Sequence, residues 1–374
     1  LPDLPAESVF LDPAAPAEQR YKGILVLPIT RAQYEDFKQR RPQDWEPRAD
    51  RRDVGPEHIY AFHGSVSADG FRWTLLPEIF NVEHADTQNI GTYDTVLQQY
   101  VIYSRTWWVG ARDNRIPDGQ GQVWYAIGRR SIGRTQSATF GDFPLSELVM
   151  IPTSDMLPSE VLYTNCYTTI PGAPELRLMF PSIWDQASDA TRVMIAASPD
   201  GKLWDWVPGG TVLETGEFQT FDGGCLFVSP NLIELDNGDF ALPYNGYRFP
   251  HKYPRGHADF PPNLGYAVWP KGRIIGLEAP QLGEFATVAV VPPGVQLRIN
   301  AVTRRGGSIR IEACDVNGQP LPGRTFADCQ PIIGDQFQTP VVWQGGADLG
   351  IQPGAAVMLR FKMDQAKIFA LEFE

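Results

Sequence analysis

The chain has 374 residues, 43% hydrophobic and 11% aromatic, with a formal net charge of −12 at pH 7. That length buries a sizeable core and makes more than one domain the expectation. The acidic balance argues against a nucleic-acid partner, which needs a basic footprint. No apolar run approaches the roughly 18 residues of a membrane span, so no membrane partner is expected either.

Turn formers are abundant, with 35 Gly and 33 Pro, and between them lie short runs rich in Val, Ile, Tyr, Phe and Trp, the composition of many short strands. A box of the form Ser-x-Asp-Gly-x-x-Trp occurs twice, at Ser67–Trp73 and at Ser198–Trp204. In each copy Asp-Gly supplies a tight turn and Trp enters the next strand. The two copies lie about two four-stranded units apart, which points to a β-propeller.

In chain order, the first repeat runs from Ser8–Pro13 and Arg20–Val26 to the box at Trp73, with a charged, helix-compatible insertion at about 31–56. The second begins at His84–Asn89 and continues through Tyr100–Arg105 and Val123–Arg129. The third spans Val161–Asn165 and Leu176–Phe180 to the second box, and the fourth contains Phe221–Phe227, Phe240–Tyr247 and Gly265–Trp269. After Gly276 the segments Gln296–Ala301, Ser308–Ala313, Val357–Phe361 and Lys367–Leu371 alternate apolar with polar, the mark of half-buried antiparallel strands. Asp315-Val316-Asn317-Gly318 is a hairpin-turn signal. The expected fold is all-β: a propeller over 1–279 with four repeats visible, followed by a β-sandwich over 280–374.

Cys166, Cys225, Cys314 and Cys329 include no CxxC pair, so neither a zinc nor a thioredoxin-like site is expected. Buried free thiols are the expectation, with a Cys314–Cys329 pairing as the alternative. No signal peptide is visible, and the chain opens at Leu1 inside a strand pattern. This suggests a missing blade, supplied by self-association or by a partner.

The repeat starts Phe10-Leu11-Asp12-Pro13 and His84-Ala85-Asp86-Thr87-Gln88-Asn89 resemble the inner strands of five-bladed propeller glycoside hydrolases, families 32 and 43. The tail, with Leu297–Asn300 and its Asp-x-Asn-Gly hairpin, resembles the C-terminal sandwich attached to family 32-like propellers. The resemblance implies a sugar-binding funnel with acidic residues near the inner strands, a carbohydrate ligand, no cofactor or metal, and a secreted or periplasmic setting.

Glycoside hydrolysis needs two carboxyl groups flanking one bond. By resemblance, Asp12 serves as base or nucleophile; its plainer reading is an Asp-Pro turn at a loop edge. Asp86 lies in a polar run that is costly to bury unless its groups bond one another or a ligand, so it either orients a sugar or belongs to a core network. The third repeat reads Tyr163-Thr164-Asn165-Cys166 where relatives carry a Glu, which leaves Asp222, beside Gly223-Gly224, and Glu175 as substitutes for the acid. Asp222 also reads as a glycine-assisted turn residue. His84, Asn89, Trp107, Tyr247 and His257 are candidate sugar contacts, against blade-to-blade packing for the aromatics. The reading is therefore a glycosidase acting on a furanoside or small oligosaccharide. Its alternatives are a non-catalytic carbohydrate-binding or assembly module, and a sialidase, which needs convergent arginines such as Arg105, Arg112 and Arg177.

Overall fold

A computed structural model describes residues 8–44, 59–83, 85, 88–108, 128–252 and 262–374. The chain divides into two compact units, the first comprising 1–233 and 241–267, the second 234–240 and 268–374. No described helix is long and apolar enough to cross a membrane.

The first unit is propeller-type, a succession of antiparallel sheets. The first sheet has the order β1 (Ser8–Leu11), β2 (Tyr21–Pro28), β3 (Tyr60–Ser67), β4 (Thr74–Asn81). The second has the order β5 (Ile90–Asp94), β6 (Gln99–Trp108), β7 (Arg129–Ser137), β8 (Glu147–Met150). In the third, β9 (Glu160–Leu162) and β10 (Tyr167–Ile170) are two halves of one interrupted first strand. They pair with β12 (Ser182–Asp185) and β11 (Ala173–Met179) respectively, and β13 (Ala190–Ser198) and β14 (Asp205–Glu214) complete the sheet. The fourth sets β15 (Cys225–Val228) and β16 (Ile233–Glu234) along one edge of β17 (Phe240–Tyr247), with β18 (Asn263–Trp269) on the other.

Both turn boxes join the third long strand of a sheet to the fourth, between β3 and β4 and between β13 and β14. Their bonding is the same. Oδ1 of Asp69 accepts from the amides of Phe71 and Arg72, and Oδ1 of Asp200 from those of Lys202 and Leu203, all at 2.8 Å. Each Trp indole donates to the glycine carbonyl of its box, at 3.1 and 3.0 Å. Gly70 and Gly201 take φ of +78° and +76°, which side chains disfavour. These bonds hold both Asp carboxyls below the usual range, so the boxes are fully used as turns.

Successive sheets pack through apolar layers. Phe10, Ile24, Phe62 and Phe80 of the first sheet meet Ile102 of the second and nearby Phe143. Ile90, Val101, Tyr103 and Ile132 of the second sheet meet Leu162, Tyr167, Met179 and Ile183 of the third. Each such side chain contributes roughly 1.5–3 kcal/mol on burial. The insertion carries α1 (Arg31–Arg40), opened by a Thr30–Gln33 capping box, which buries Tyr34 and Phe37 against Ile29, Ile59 and Ile79.

The second unit holds one sheet, ordered β19 (Leu277–Ala286), β22 (Met358–Phe373), β20 (Leu297–Cys314), β21 (Asp335–Pro340). The period-two pattern is realised: Leu297, Ile299, Ala301, Ile309, Ile311 and Ala313 share one core with Leu359, Phe361 and Met363. Hydrogen bonding makes a single four-stranded sheet, and further segments join its core by isolated bridges such as Ile309–Ile332. Asp315–Gly318 closes the expected turn, with Gly318 at φ +77°. All four cysteines are free and buried, so the Cys314–Cys329 alternative is not realised: Cys314 Sγ instead approaches Glu312 at 3.8 Å.

Candidate functional site

The first strands of the second, third and fourth sheets share a feature that the sequence does not announce. The first strand is interrupted between Leu162 and Tyr167 in the third sheet and between Val228 and Ile233 in the fourth, and in the second sheet it starts at Ile90, directly after Gln88 and Asn89. A non-glycine residue with positive φ sits at each of these places: Gln88 at 29°, Cys166 at 41° and Asn231 at 73°. Such backbone is costly and persists only where the surroundings enforce it.

The enforcement is a hydrogen-bonded knot. Gln88 Nε2 donates to the Val228 carbonyl at 2.5 Å, and Gln88 Oε1 accepts from the Cys166 amide at 2.9 Å. Asn165 Nδ2 donates to the Gln88 carbonyl at 3.0 Å, and Cys166 Sγ donates to the Ser229 carbonyl at 2.9 Å. One carboxamide therefore joins three sheets. Burial pushes the Cys166 thiol up, so it is held protonated and unreactive.

A cluster of aromatic and cationic groups stands at the Leu162 side of this knot. Tyr163 Oη and His251 Nε2 share a hydrogen bond of 2.8 Å. The His251 ring meets Tyr163, Trp184 and Phe227 edge-on at 4.7, 5.1 and 5.2 Å. Tyr247 packs against Phe227 at 5.9 Å, and the Arg130 guanidinium lies 4.4 Å above Tyr163. Asp189 ties the cluster down, accepting from Trp184 Nε1 at 2.9 Å and from the Lys252 amide at 2.6 Å. Burial, then the neighbouring Lys252 charge, lowers His251 to about 4, so the ring is neutral near pH 7.

The expected site residues are distributed as follows. Asp12 follows β1 and is fully buried; its Oδ2 accepts from Tyr100 Oη at 2.7 Å and pairs with Lys22 Nζ at 3.5 Å. Tyr100 stands opposite Tyr93, near the far end of β5, whereas the polar run of Glu83–Asn89 precedes that strand. Asp12 and the pair Gln88–Asn89 thus lie at opposite ends of adjacent first strands. Asn89 is buried and donates to the Ala85 carbonyl at 3.3 Å. Asp222 stands just before β15 and accepts from Tyr244 Oη at 2.9 Å and Thr220 Oγ1 at 3.1 Å. Trp107, near the start-side end of the second sheet, is buried beneath Arg105 at 4.3 Å. His84, Asp86 and His257 lie outside the described residues, as does Arg112. Glu175 is exposed on β11.

Of the arginines named for a sialidase-like site, the two described ones, Arg105 and Arg177, do not meet. Arg177 is 2% exposed and gives both a 2.8 Å and a 3.0 Å bond to Asp94, which closes β5 at the end away from the polar run. Arg105 lies at the other end.

Sequence reasoning did not single out Gln88, Asn165, Arg130 or Trp184 as site residues. The signal was available only in part: a polar residue on each side of an otherwise apolar strand start, and a Pro- and aromatic-rich segment reaching His251.

No family model matches the sequence, and no curated protein matches it. Among solved structures, the chain is similar to the β-1,2-mannobiose phosphorylase from Listeria innocua (12% identity, TM-score 0.37, 56% of this chain and 50% of that one). It is also similar to an N-acetylgalactosamine deacetylase from F. plautii (10%, 0.39, 70% and 88%) and a thermostable family-43 glycoside hydrolase (13%, 0.35, 57% and 65%). The chain spans about half the length of the mannobiose phosphorylase it matches.

Proposed function

We propose that this protein is glycoside hydrolase-like and acts on a furanoside or a small oligosaccharide held over the inner-strand breaks of the first unit. The observation that carries the reading is the knot at Gln88. The polar run containing Asp86 ends there, beside the two interrupted first strands and a cluster of Tyr163, Trp184, Phe227 and His251 suited to a sugar face. In this reading Asp86 and Asp222 form the acid–base pair, which requires about 5–10 Å between their carboxyls. His84, Asn89, Trp107, Tyr247 and His257 contact the sugar. Asp12 serves as a staple between the first two sheets, since its carboxylate is spent on Lys22 and Tyr100.

A second reading, a non-catalytic carbohydrate-binding module, draws on Asn165 and Cys166: the interruption in the third sheet carries an amide and a thiol, neither of which protonates a leaving group at neutral pH. Hydrolysis of aryl furanosides and small oligosaccharides, measured beside calorimetric binding, separates the two. The hydrolase reading expects turnover that Asp86→Asn and Asp222→Asn each abolish while binding survives. Binding with no turnover by the wild type supports the module. Neither binding nor turnover with any sugar tested overturns both.

A further inference from the structure

The aromatic cluster at Tyr163 carries a charge pattern opposite to that of the chain around it. The protein has a formal net charge of −12, yet the charged groups laid against these rings are cations. The Arg130 guanidinium lies 4.4 Å above Tyr163, and Lys252 Nζ lies 5.6 Å from the centre of the Trp184 ring. Those two rings meet edge-on at 5.4 Å, so both cations border one aromatic cluster. Neither side chain forms an ion pair or a hydrogen bond with a described residue.

Solvent reaches both cations. Lys252 is exposed, and Arg130, Tyr163, Phe227 and His251 are partly exposed. Of the Arg130 nitrogens, Nη1 alone is both buried and without a partner. The nearby carboxylates are already engaged: Asp189 accepts from Trp184 Nε1 and from the Lys252 amide, and Glu160 pairs with Arg192 at 2.7 Å. Arg129 donates to the carbonyls of Leu157 and Glu160. Burial is the largest cause of the low His251 value; after it, Lys252 lowers the ring's proton affinity more than Asp189 raises it, and Arg130 adds to the lowering. The field at the cluster is therefore positive, with Asp189 included.

We propose that this cluster selects an acidic sugar, a hexuronate unit of a small oligosaccharide, whose ring packs on the aromatic side chains and whose carboxylate pairs with Arg130, with Lys252 as the second cation. The inference rests on the carbohydrate reading and adds to it the class of sugar. A guanidinium offers a carboxylate two parallel N–H bonds, and its position over Tyr163 fixes it in advance. Ring packing is common to neutral and acidic sugars, so the preference comes from the two cations and weakens with salt.

The test is calorimetric binding of matched disaccharides that differ only in the oxidation of C6, digalacturonate against galactobiose of the same linkage, with corresponding pairs in the gluco and manno series. The expected result is an acidic member that binds about tenfold or more tightly than its neutral counterpart, the gap closing as sodium chloride is raised. Lys252→Met, at an exposed side chain, should keep the wild-type melting temperature and weaken the acidic sugar several-fold while leaving the neutral one unchanged. Arg130→Lys, which keeps the charge and removes the fork, should weaken the acidic sugar as well. Neutral members that bind as tightly as acidic ones overturn the inference and leave the carbohydrate reading standing, as does an acidic preference unchanged in both variants. No binding by any sugar of either kind overturns the carbohydrate reading, and this inference with it.

Discussion

Gln88 and Cys166 hold one another in backbone conformations that neither would adopt alone. The Gln88 carboxamide oxygen accepts from the Cys166 amide at 2.9 Å while both residues sit at positive φ, 29° and 41°. The other end of the same carboxamide holds the Val228 carbonyl. Removing it in Gln88→Ala orphans a buried amide and a buried carbonyl at once, each worth about 1–3 kcal/mol. Urea unfolding should show a loss of that order, and sugar affinity should fall with it if the ligand sits over the breaks. A variant as stable as the wild type would show that the knot is not under load.

The Asp94–Arg177 pair joins the second sheet to the third with both side chains almost fully buried. Its partner's hydrogen bonds keep Arg177 above its usual value although burial works against it, so the guanidinium stays charged. Asp94→Ala leaves an unpaired guanidinium in the interior and should cost about 3–5 kcal/mol in denaturant unfolding. Exchanging both residues for apolar ones of similar volume should cost far less, since the penalty is the orphaned charge.

The two turn boxes offer a matched comparison. Gly70 and Gly201 have almost the same φ, so alanine at either carries the same backbone strain of about 1–2 kcal/mol. Around Gly70 a new Cβ meets nothing nearer than the Tyr21 ring at 3.9 Å, whereas at Gly201 it meets Tyr103 Oη at 2.8 Å. Gly201→Ala should therefore lower the melting temperature clearly more than Gly70→Ala. Equal losses would mean that the second sheet shifts to make room.

His251 gives the pH dependence a sign. Its folded value, about 4, lies below the 6.5 of an unhindered imidazole, so the folded state resists protonation. The stabilisation is complete above pH 6.5 and is lost as pH falls from there through 4. Solvent reaches part of the ring, which keeps the loss modest. Comparing wild type with His251→Gln between pH 7.5 and 4 should show curves that converge at the acidic end. Parallel curves would contradict a neutral, partly buried His251.

Much of this architecture is legible from residue chemistry. Asp69-Gly70 and Asp200-Gly201 determine their turns locally, because the bonds that close them run only two or three residues along the chain. Thr30 and Gln33 open the helix in the same way. The alternation in Leu297–Ala301 and Ser308–Ala313 needs only one buried face. The inner-strand breaks are different in kind. Gln88 and Cys166 are ordinary residues in unfavourable conformations, and their cause lies some 60 to 140 residues away at Val228 and Ser229. Asp12 shows the same limit from the other side: its Asp-Pro context suggests an exposed strand entry, and only Tyr100 and Lys22, brought in by neighbouring strands, make it a buried staple.

The four unpaired cysteines give each unit its own clock. Cys166 and Cys225 are sealed within the first unit, Cys314 and Cys329 within the second, and none is bridged. The fold accordingly carries no covalent cross-link that a reducing milieu could cut. A maleimide can label each thiol only when its surroundings open, so site-resolved labelling over time reads the opening rate of the first unit apart from that of the second, in one untagged, unmutated sample.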